Sequence, residues 1–341
     1  YLLISIALLT WWRLRIVPAL SPARRHKAIL FASGPEAIEL VDEINNNDRY
    51  SYYFIRLIDK DSLESTEDAE AKILTLMERE KVEVIVADVK EETLQAFLPI
   101  LFDLSFLRFS CVYLDFNRLY QETFDRVPVR MINYEWFISN ISQTKTVVYD
   151  TCKRLFDVVG ALFLLIPSAI LMPIVALAIK IEDRGPLLYT TIRVGQYNQP
   201  ITIYKLRTKN GVDSGAAALQ STLVDTKVGT FLRKTRIDEL PQLINVLKGD
   251  LSFIGPRPEI PELVSAYANE IPYYNTRHLL KPGLSGWAQI NNFDVPRGGV
   301  DVPRTIEKLS YDLFYLQRRS LLLDLHIALK TMAAIIMRTG S

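Results

Sequence analysis

Between Arg233 and Pro258 the chain sets the bases Arg233, Lys234 and Arg236 before an adjacent carboxylate pair, Asp238 and Glu239. A short helix pattern from Leu240 to Leu247 and a Gly255-Pro256-Arg257-Pro258 corner come next, with little filler. Adjacent residues of an α-helix point about 100° apart, so the two carboxylates would not crowd into a proton-sharing pair. One can attack while the other binds a cation. Pro241 is tolerated in a first helical turn, where amide hydrogens have no internal partner, which puts the pair at a helix start, and helix starts attract anions. Thr235 with Asp238 three residues later also has the form of a capping box, and acids are common in first turns, so a structural reading stands beside the chemical one.

The surroundings favour chemistry. Lys205, Arg207, Arg233, Arg236 and Arg257 all lie in this basic half of the chain, and an arginine fixed between Pro256 and Pro258 is suited to holding a guanidinium against a phosphate. Taken singly, each arginine reads equally as surface charge. A carboxylate nucleophile at phosphorus needs cations to screen the phosphoryl oxygens, a divalent metal held by a second carboxylate, and a fixed line of attack. Oxygen ligation by one or two carboxylates plus substrate phosphates is the habit of Mg2+. That cofactor is the expectation.

The 341 residues are enough for two ordinary domains. Lys and Arg (40) nearly balance Asp and Glu (39), so bulk charge gives no argument for nucleic acid. Cys111 and Cys152 are too few for a disulfide framework and fit a reducing compartment; His26, His278 and His326 are scattered, so spacing reveals no zinc site. The numbering starts without Met, which suggests that it begins inside a longer natural chain.

The hydrophobic fraction, 49%, is concentrated in two runs. Residues 1–12 are apolar, end in Trp11 and Trp12, and are followed by Arg13, Arg15, Arg24, Arg25 and Lys27. Twelve residues cannot span a bilayer, which takes about 20, but aromatics followed by cations resemble the cytoplasmic end of a spanning helix. Residues 1–15 are therefore read as the end of a transmembrane helix. From 27 to 126, short apolar strands (28–32, 52–58, 82–87, 109–114) alternate with helical spacing (35–45, 69–79, 93–102), which predicts a small parallel sheet covered by helices. Ser33-Gly34-Pro35 replaces the dinucleotide glycine signature, so this domain reads as structural or oligomerising, with a homodimer as the expected use. Residues 127–152 read as a linker.

The second run, Val158 to Ile179, carries no charge and contains Pro167 and Pro173. Its length would just cross a membrane. Both flanks are basic, however, and a full crossing would export everything after Lys180, including the carboxylate pair. Proline removes a backbone hydrogen bond and bends a helix. The expectation is a re-entrant helix over 153–182, broken near Pro167 and Ser168 and returning to the same side. Residues 183–341 then form the domain at the cytoplasmic face, with strands near 187–193 and 201–206 and short amphipathic helices after them.

These residues resemble the bacterial sugar transferases, the monotopic phosphoglycosyl transferases that load a sugar phosphate onto polyprenyl phosphate. The resemblance runs from Lys153 to about Thr331 and rests on Lys153-Arg154-Leu155-Phe156-Asp157, Arg193-Val194-Gly195, Tyr204-Lys205-Leu206-Arg207, Asp238-Glu239-Leu240-Pro241-Gln242-Leu243, Asn245-Val246-Leu247-Lys248-Gly249-Asp250, Gly255-Pro256-Arg257-Pro258, Arg277-His278, Pro282-Gly283-Leu284-Ser285-Gly286-Trp287-Ala288-Gln289 and Tyr311-Asp312. It implies an α/β chain: a Rossmann-like parallel-sheet domain, then a mostly α-helical monotopic domain with a re-entrant membrane helix. It implies Asp238 as nucleophile, Glu239 as Mg2+ ligand, and Lys205, Arg207, Arg233, Arg257, Arg277 and Asp312 around the substrate phosphates. The partners implied are a nucleotide sugar, most simply a UDP-sugar, undecaprenyl phosphate and membrane lipids. The place implied is the cytoplasmic face of a bacterial inner membrane, where the product would start exopolysaccharide, capsule or O-antigen synthesis.

The chain departs from the family pattern at three places. Thr191 stands where Gln is usual, the order at the membrane break is Pro167 then Ser168, and Asn292-Phe293 replaces a usual Gly-Arg pair, for which Arg297 could substitute. A membrane-tethered regulatory or assembly protein, and a metal-dependent nucleotide-sugar hydrolase, are the alternative readings.

Overall fold

The computed structural model describes residues 2–16, 25–59, 66–88, 97–109, 111–141, 147–182, 184–210, 224–291 and 300–337. It falls into two compact units, Tyr1–Met131 and Ile132–Ser341. Asn292, Phe293 and Arg297 lie outside the described residues, as does the polar stretch 211–220.

The first unit begins with helix α1 (Leu2–Trp11), which passes into a π turn over Trp12–Ile16. Its sheet comprises β1 (His26–Phe31), β2 (Tyr52–Ile58), β3 (Val84–Ala87) and β4 (Val112–Asp115) in the order β2-β1-β3-β4, all pairs parallel. Parallel neighbours require crossovers, and those described are α2 (Pro35–Asn45), α3 (Thr66–Glu80) and α4 (Leu98–Phe102), with α5 (Phe116–Phe124) after β4. Successive strand residues face opposite sides. Ile29, Phe31, Ile85 and Ala87 therefore pack with Ile73, Met77 and Leu101, while Ala28, Leu30, Val84 and Val86 pack with Leu40, Ile44, Phe116 and Tyr120. Burial on both faces is why the two central strands read as unbroken apolar runs.

In the second unit the stretch expected as a linker carries α6 (Tyr134–Asn140), with Trp136 buried and Tyr134 and Phe137 against Tyr273. Next comes α7 (Val147–Glu182), among the described residues the one helix long and apolar enough to cross a membrane. The expected break near Pro167 and Ser168 does not interrupt it: α7 runs on with Pro167 and Pro173 inside. A proline deletes one amide donor but leaves the flanking ladder, and Ser168 Oγ donates to Leu164 O at 2.6 Å, adding a side-chain bond beside Pro167.

Both ends of α7 are fastened to this unit. Near its start, Arg154, Asp157 and Ala161 face inward, Ala161 packing with Ile203, Leu243, Val246 and Leu251. Near its end, Val175 and Ile179 pack with Leu206 and Leu232, and the Glu182 carboxylate accepts from Lys227 N (2.7 Å) and Val228 N (2.8 Å). Between these anchors Phe163, Ile166, Ile170 and Ile174 are exposed, Phe163 by 71% and Ile170 by 72%.

The remaining elements are the antiparallel hairpin β5 (Leu188–Val194) and β6 (Pro200–Leu206), α8 (Lys227–Lys234), α9 (Gln242–Lys248), β7 (Ser252–Ile254), α10 (Pro261–Glu270), β8 (Gly283–Ser285), α11 (Trp287–Ile290), α12 (Val302–Arg318) and α13 (Leu321–Met337). On α13, Asp324 accepts from Tyr149 and Lys153 of α7, and Ile327 is fully buried. The opposite side exposes Leu322, Leu325, Leu329, Met332 and Ile335, spaced three and four apart, which is one continuous apolar stripe.

Candidate active site

The carboxylate pair sits in a 3-10 turn that leads into α9, not in the first turn of an α-helix. Helix α8 ends at Thr235, whose hydroxyl donates back to Phe231 O (2.9 Å) and Leu232 O (3.1 Å). Arg236 then takes a left-handed conformation (φ 58°), and Ile237–Glu239 form a single 3-10 turn before α9. Thr235 thus closes one helix rather than opening the next, and the capping-box reading fails. With about three residues per turn, the two carboxylates diverge by about 120°, somewhat more than on the α-helix the sequence suggested.

The segment after the turn is held from three directions. Arg154 donates to Val246 O (2.6 Å) and Leu247 O (2.7 Å), satisfying carbonyls at the C-terminus of α9 with a cation that suits the helix dipole. Gly249, at φ 91°, ends that helix in the left-handed conformation that glycine adopts freely. Asn245, fully buried, accepts from Tyr204 N (3.2 Å) and donates to Thr202 O (2.7 Å), tying α9 to β6. Asp157 of α7 accepts from Ser252 Oγ and Phe253 N, both at 3.0 Å, and so ties in β7. Sequence reading assigned no role to Arg154, Asp157 or Asn245. A polar Asn on the apolar face of a short helix, between Leu243 and Val246, was the available signal.

The Gly-Pro-Arg-Pro corner leaves β7 against β8. Gly255 N donates to Ser285 O (2.8 Å) and Gly283 N to Pro256 O (2.9 Å). A Cβ on Gly255 would lie 2.3 Å from the Lys281 carbonyl, so no other residue allows this approach. The corner aims Arg257 at the pair: its NH2 lies 3.5 Å from Glu239 Oε1. From β6, Lys205 Nζ reaches the same oxygen at 3.0 Å.

These contacts separate the two carboxyls electrostatically. Burial works against the charged form of Glu239, but Arg257, Lys205 and Arg236 outweigh it and hold the group at about 2, ionised across any working pH. Asp238, 8% exposed, moves the other way: burial and the neighbouring Glu239 charge push it above the ordinary carboxylate value, against the pull of Lys205, Arg233 and Arg236. Its Oδ1 is buried without a hydrogen-bond partner. A buried carboxylate oxygen so left is costly to the fold and free to bond to something else.

Lys205, Arg257, Asp238 and Glu239 are thus brought together, and the other expected residues are not. Arg233 is spent on Asp225, with contacts of 2.6 and 3.1 Å, and on Thr208 Oγ1 at 3.0 Å; it reaches Asp238 only through its field. Arg207 donates to Lys209 O at 3.0 Å. Arg277 and Asp312, expected at the substrate, are inside the protein: Arg277 is 1% exposed, its Nε 2.8 Å and NH2 2.7 Å from Asp312 Oδ2. Beside them Lys308 pairs with Glu259 in the interior. Burial opposes the charge on Glu259, and Lys308 and Arg277 overcome it, holding that carboxyl at about 2. Arg277 touches the site indirectly, donating to Arg257 O at 3.1 Å.

Groups of three or more His, Cys, Asp or Glu disposed around one metal position are not found among the described residues. The pair itself suits a hard divalent cation shared with substrate phosphates: Glu239 is held ionised, and beside it Asp238 keeps a buried oxygen without a hydrogen-bond partner.

The family model described as bacterial sugar transferase matches residues 148–338. The chain is 40% identical over 197 residues to the UDP-N-acetylgalactosamine-undecaprenyl-phosphate N-acetylgalactosaminephosphotransferase of Aeromonas hydrophila, covering 57% of this chain and 46% of that protein. It is 40% identical over 194 residues to the UDP-glucose:undecaprenyl-phosphate glucose-1-phosphate transferase of Caulobacter vibrioides, covering 56% of this chain and 72% of the relative. With the protein of the same name from Escherichia coli it shares 38% over 183 residues, 52% of this chain and 39% of the relative. The matched stretch therefore spans less than half the length of the Aeromonas and Escherichia proteins. The match takes in α7 and every element that builds the site, and on it the chain belongs to the bacterial sugar transferase family.

Proposed function

We propose that the protein transfers a hexose 1-phosphate from a nucleotide sugar, most simply a UDP-sugar, to undecaprenyl phosphate through a covalent intermediate on Asp238. The observation that carries the reading is the divergence of two adjacent carboxyls, Glu239 held at about 2 by Arg257 and Lys205 while Asp238 keeps an unpartnered buried oxygen. An Asp238 oxygen attacks the phosphorus that bears the sugar. The bond from that phosphorus to the bridging oxygen breaks, and the nucleoside monophosphate leaves with the electron pair. A phosphate oxygen of the lipid then attacks the same phosphorus, forming the diphosphate link and releasing the Asp238 carboxylate. Lys205 and Arg257 screen the phosphoryl oxygens during both displacements. Mg2+, when bound at Glu239, supplies charge neutralisation across the diphosphate. The names of the relatives, UDP-sugar and undecaprenyl-phosphate transferases, support this assignment of substrates.

The test is a panel of nucleotide sugars with and without undecaprenyl phosphate. One nucleotide sugar should release its monophosphate in a single-turnover burst without lipid, continue to turn over with lipid, and fall silent under a chelator. Release of free sugar phosphate into water instead would mark a hydrolase.

The membrane reading rests on α7. A helix crossing the bilayer puts its ends on opposite sides, yet both ends of α7 are fastened to one body, through Arg154 and Asp157 at one end and Ile179 and Glu182 at the other. We therefore assign α7 to a re-entrant path, bent at Pro167 and Pro173 without being interrupted, that leaves the domain on the cytoplasmic face, with the apolar stripe of α13 at the same lipid surface and α1 as the end of a spanning helix. The first unit is a Rossmann-like module with a structural or dimerising role. Cysteines placed singly at Val148 and Ile181, both exposed, should react with a membrane-impermeant maleimide from the same side of sealed vesicles; labelling from opposite sides would establish a crossing.

A further inference from the structure

Within the interior network, Arg277 and Lys308 face Asp312 and Glu259, two cations against two anions. Nearer the surface the carboxylate pair is less evenly matched. Lys205, Arg257 and Arg236 already act on Glu239, and Arg193 lies in the field of Arg257 from the neighbouring hairpin. The register of the hairpin sets Tyr189 opposite Lys205 and Arg193 opposite Ile201. Directly opposed residues share a face, as do residues two apart on one strand, so Arg193, Tyr189 and Lys205 lie on one face of the hairpin. The end of β5 is pinned beside the Gly-Pro-Arg-Pro corner by Val194 N donating to Glu259 O at 2.9 Å, two residues after Arg257.

Arg193 is only partly exposed, and the described residues give its guanidinium no hydrogen bond or ion pair. Burial and Arg257 disfavour its charge and are only partly offset by Glu259, which is itself committed to Lys308, and by Tyr189 and Glu262. Two guanidiniums close enough to disfavour one another's charge, one of them with no hydrogen bond or ion pair among the described residues, are expensive unless an anion enters between them.

We infer that Arg193 and Arg257 form an anion subsite that takes the nucleotide-side phosphate of a nucleoside diphosphate sugar, with Lys205 and Asp238 at the sugar-side phosphorus. This rests on the transferase reading. Arg193 is then a substrate-binding residue of the first displacement, holding the phosphate that departs with the nucleoside. The lipid phosphate enters after that group has left and does not need it.

Arg193→Ala, Arg193→Lys and wild type, as full chains in detergent or nanodiscs, would be compared with uridine diphosphate and uridine as competing ligands. In Arg193→Ala, inhibition by the diphosphate and the apparent KM of the nucleotide sugar should each weaken about 10- to 100-fold, the worth of one charge-assisted phosphate contact. Uridine binding and the rate of transfer to lipid from preloaded enzyme should be unchanged, the thermal midpoint should not fall, and Arg193→Lys should fall between in diphosphate inhibition and KM. Unchanged diphosphate inhibition, equal loss toward uridine and the diphosphate, or a defect confined to the lipid step would each overturn the subsite. Wild type that neither releases monophosphate from any nucleotide sugar nor binds the diphosphate would overturn the transferase reading itself. Should Arg193→Ala unfold, Arg193→Lys must still separate diphosphate from uridine.

Discussion

Replacing Asp238 with Asn removes the nucleophile with almost no change of shape, and turnover should fall by about 10^4-fold or more, with the lipid-independent burst of monophosphate gone. The same variant should be at least as stable as wild type. The Asp238 carboxyl is raised by burial and by Glu239. With a folded-state value above the unfolded one, its stabilising contribution is complete below the unfolded value and is lost as pH rises through the folded value. At neutral pH the ionised side chain therefore costs stability, and an uncharged amide removes that cost. A thermal midpoint at or above wild type, together with lost activity, is the signature of a group kept for chemistry. A lower midpoint with activity retained would mean that Asp238 is structural and that the nucleophile lies elsewhere.

The largest loss of stability should come from Arg277→Ala. Arg277 and Asp312 are both 1% exposed, and removing one partner of a buried ion pair costs about 3–5 kcal/mol because the other charge is stranded. For a unit of this size that corresponds to a fall of about 10 °C in midpoint. Glu259 loses a neighbouring cation as well, 3.8 Å away. A double variant, Arg277→Met with Asp312→Leu, should recover much of the stability, since apolar residues of similar volume commonly replace buried pairs. It should not recover activity, because the Arg257 carbonyl has lost the donor that holds the corner. Recovery of both would show that Arg277 only fills the core.

The pair's surroundings explain how one short stretch divides its labour. Lys205 arrives from a strand, Arg257 from a corner fixed by two backbone bonds, and α9 is clamped by Arg154 and Asn245. None of these belongs to the 3-10 turn that carries the carboxyls. Preorganised cations at a phosphoryl site need no rearrangement when charge develops, which is why so much of this unit is spent on holding them.

Local periodicity was legible in the sequence itself. Pro35–Asn45 and Tyr52–Ile58 form the expected elements at the expected residues, because their apolar spacing and flanking turn residues act over a few positions. The carboxylate pair, the Arg257 corner and the long apolar run were visible for the same reason. Tertiary structure decided which charges are available. Arg233 is spent on Asp225 and Arg277 on Asp312, partners 8 and 35 residues away, and no periodic pattern marks such pairings. It also turned the supposed first helical turn at Asp238 and Glu239 into a 3-10 turn after a left-handed Arg236, and carried α7 through Pro167, because packing against the rest of the unit outweighs the loss of single amide donors.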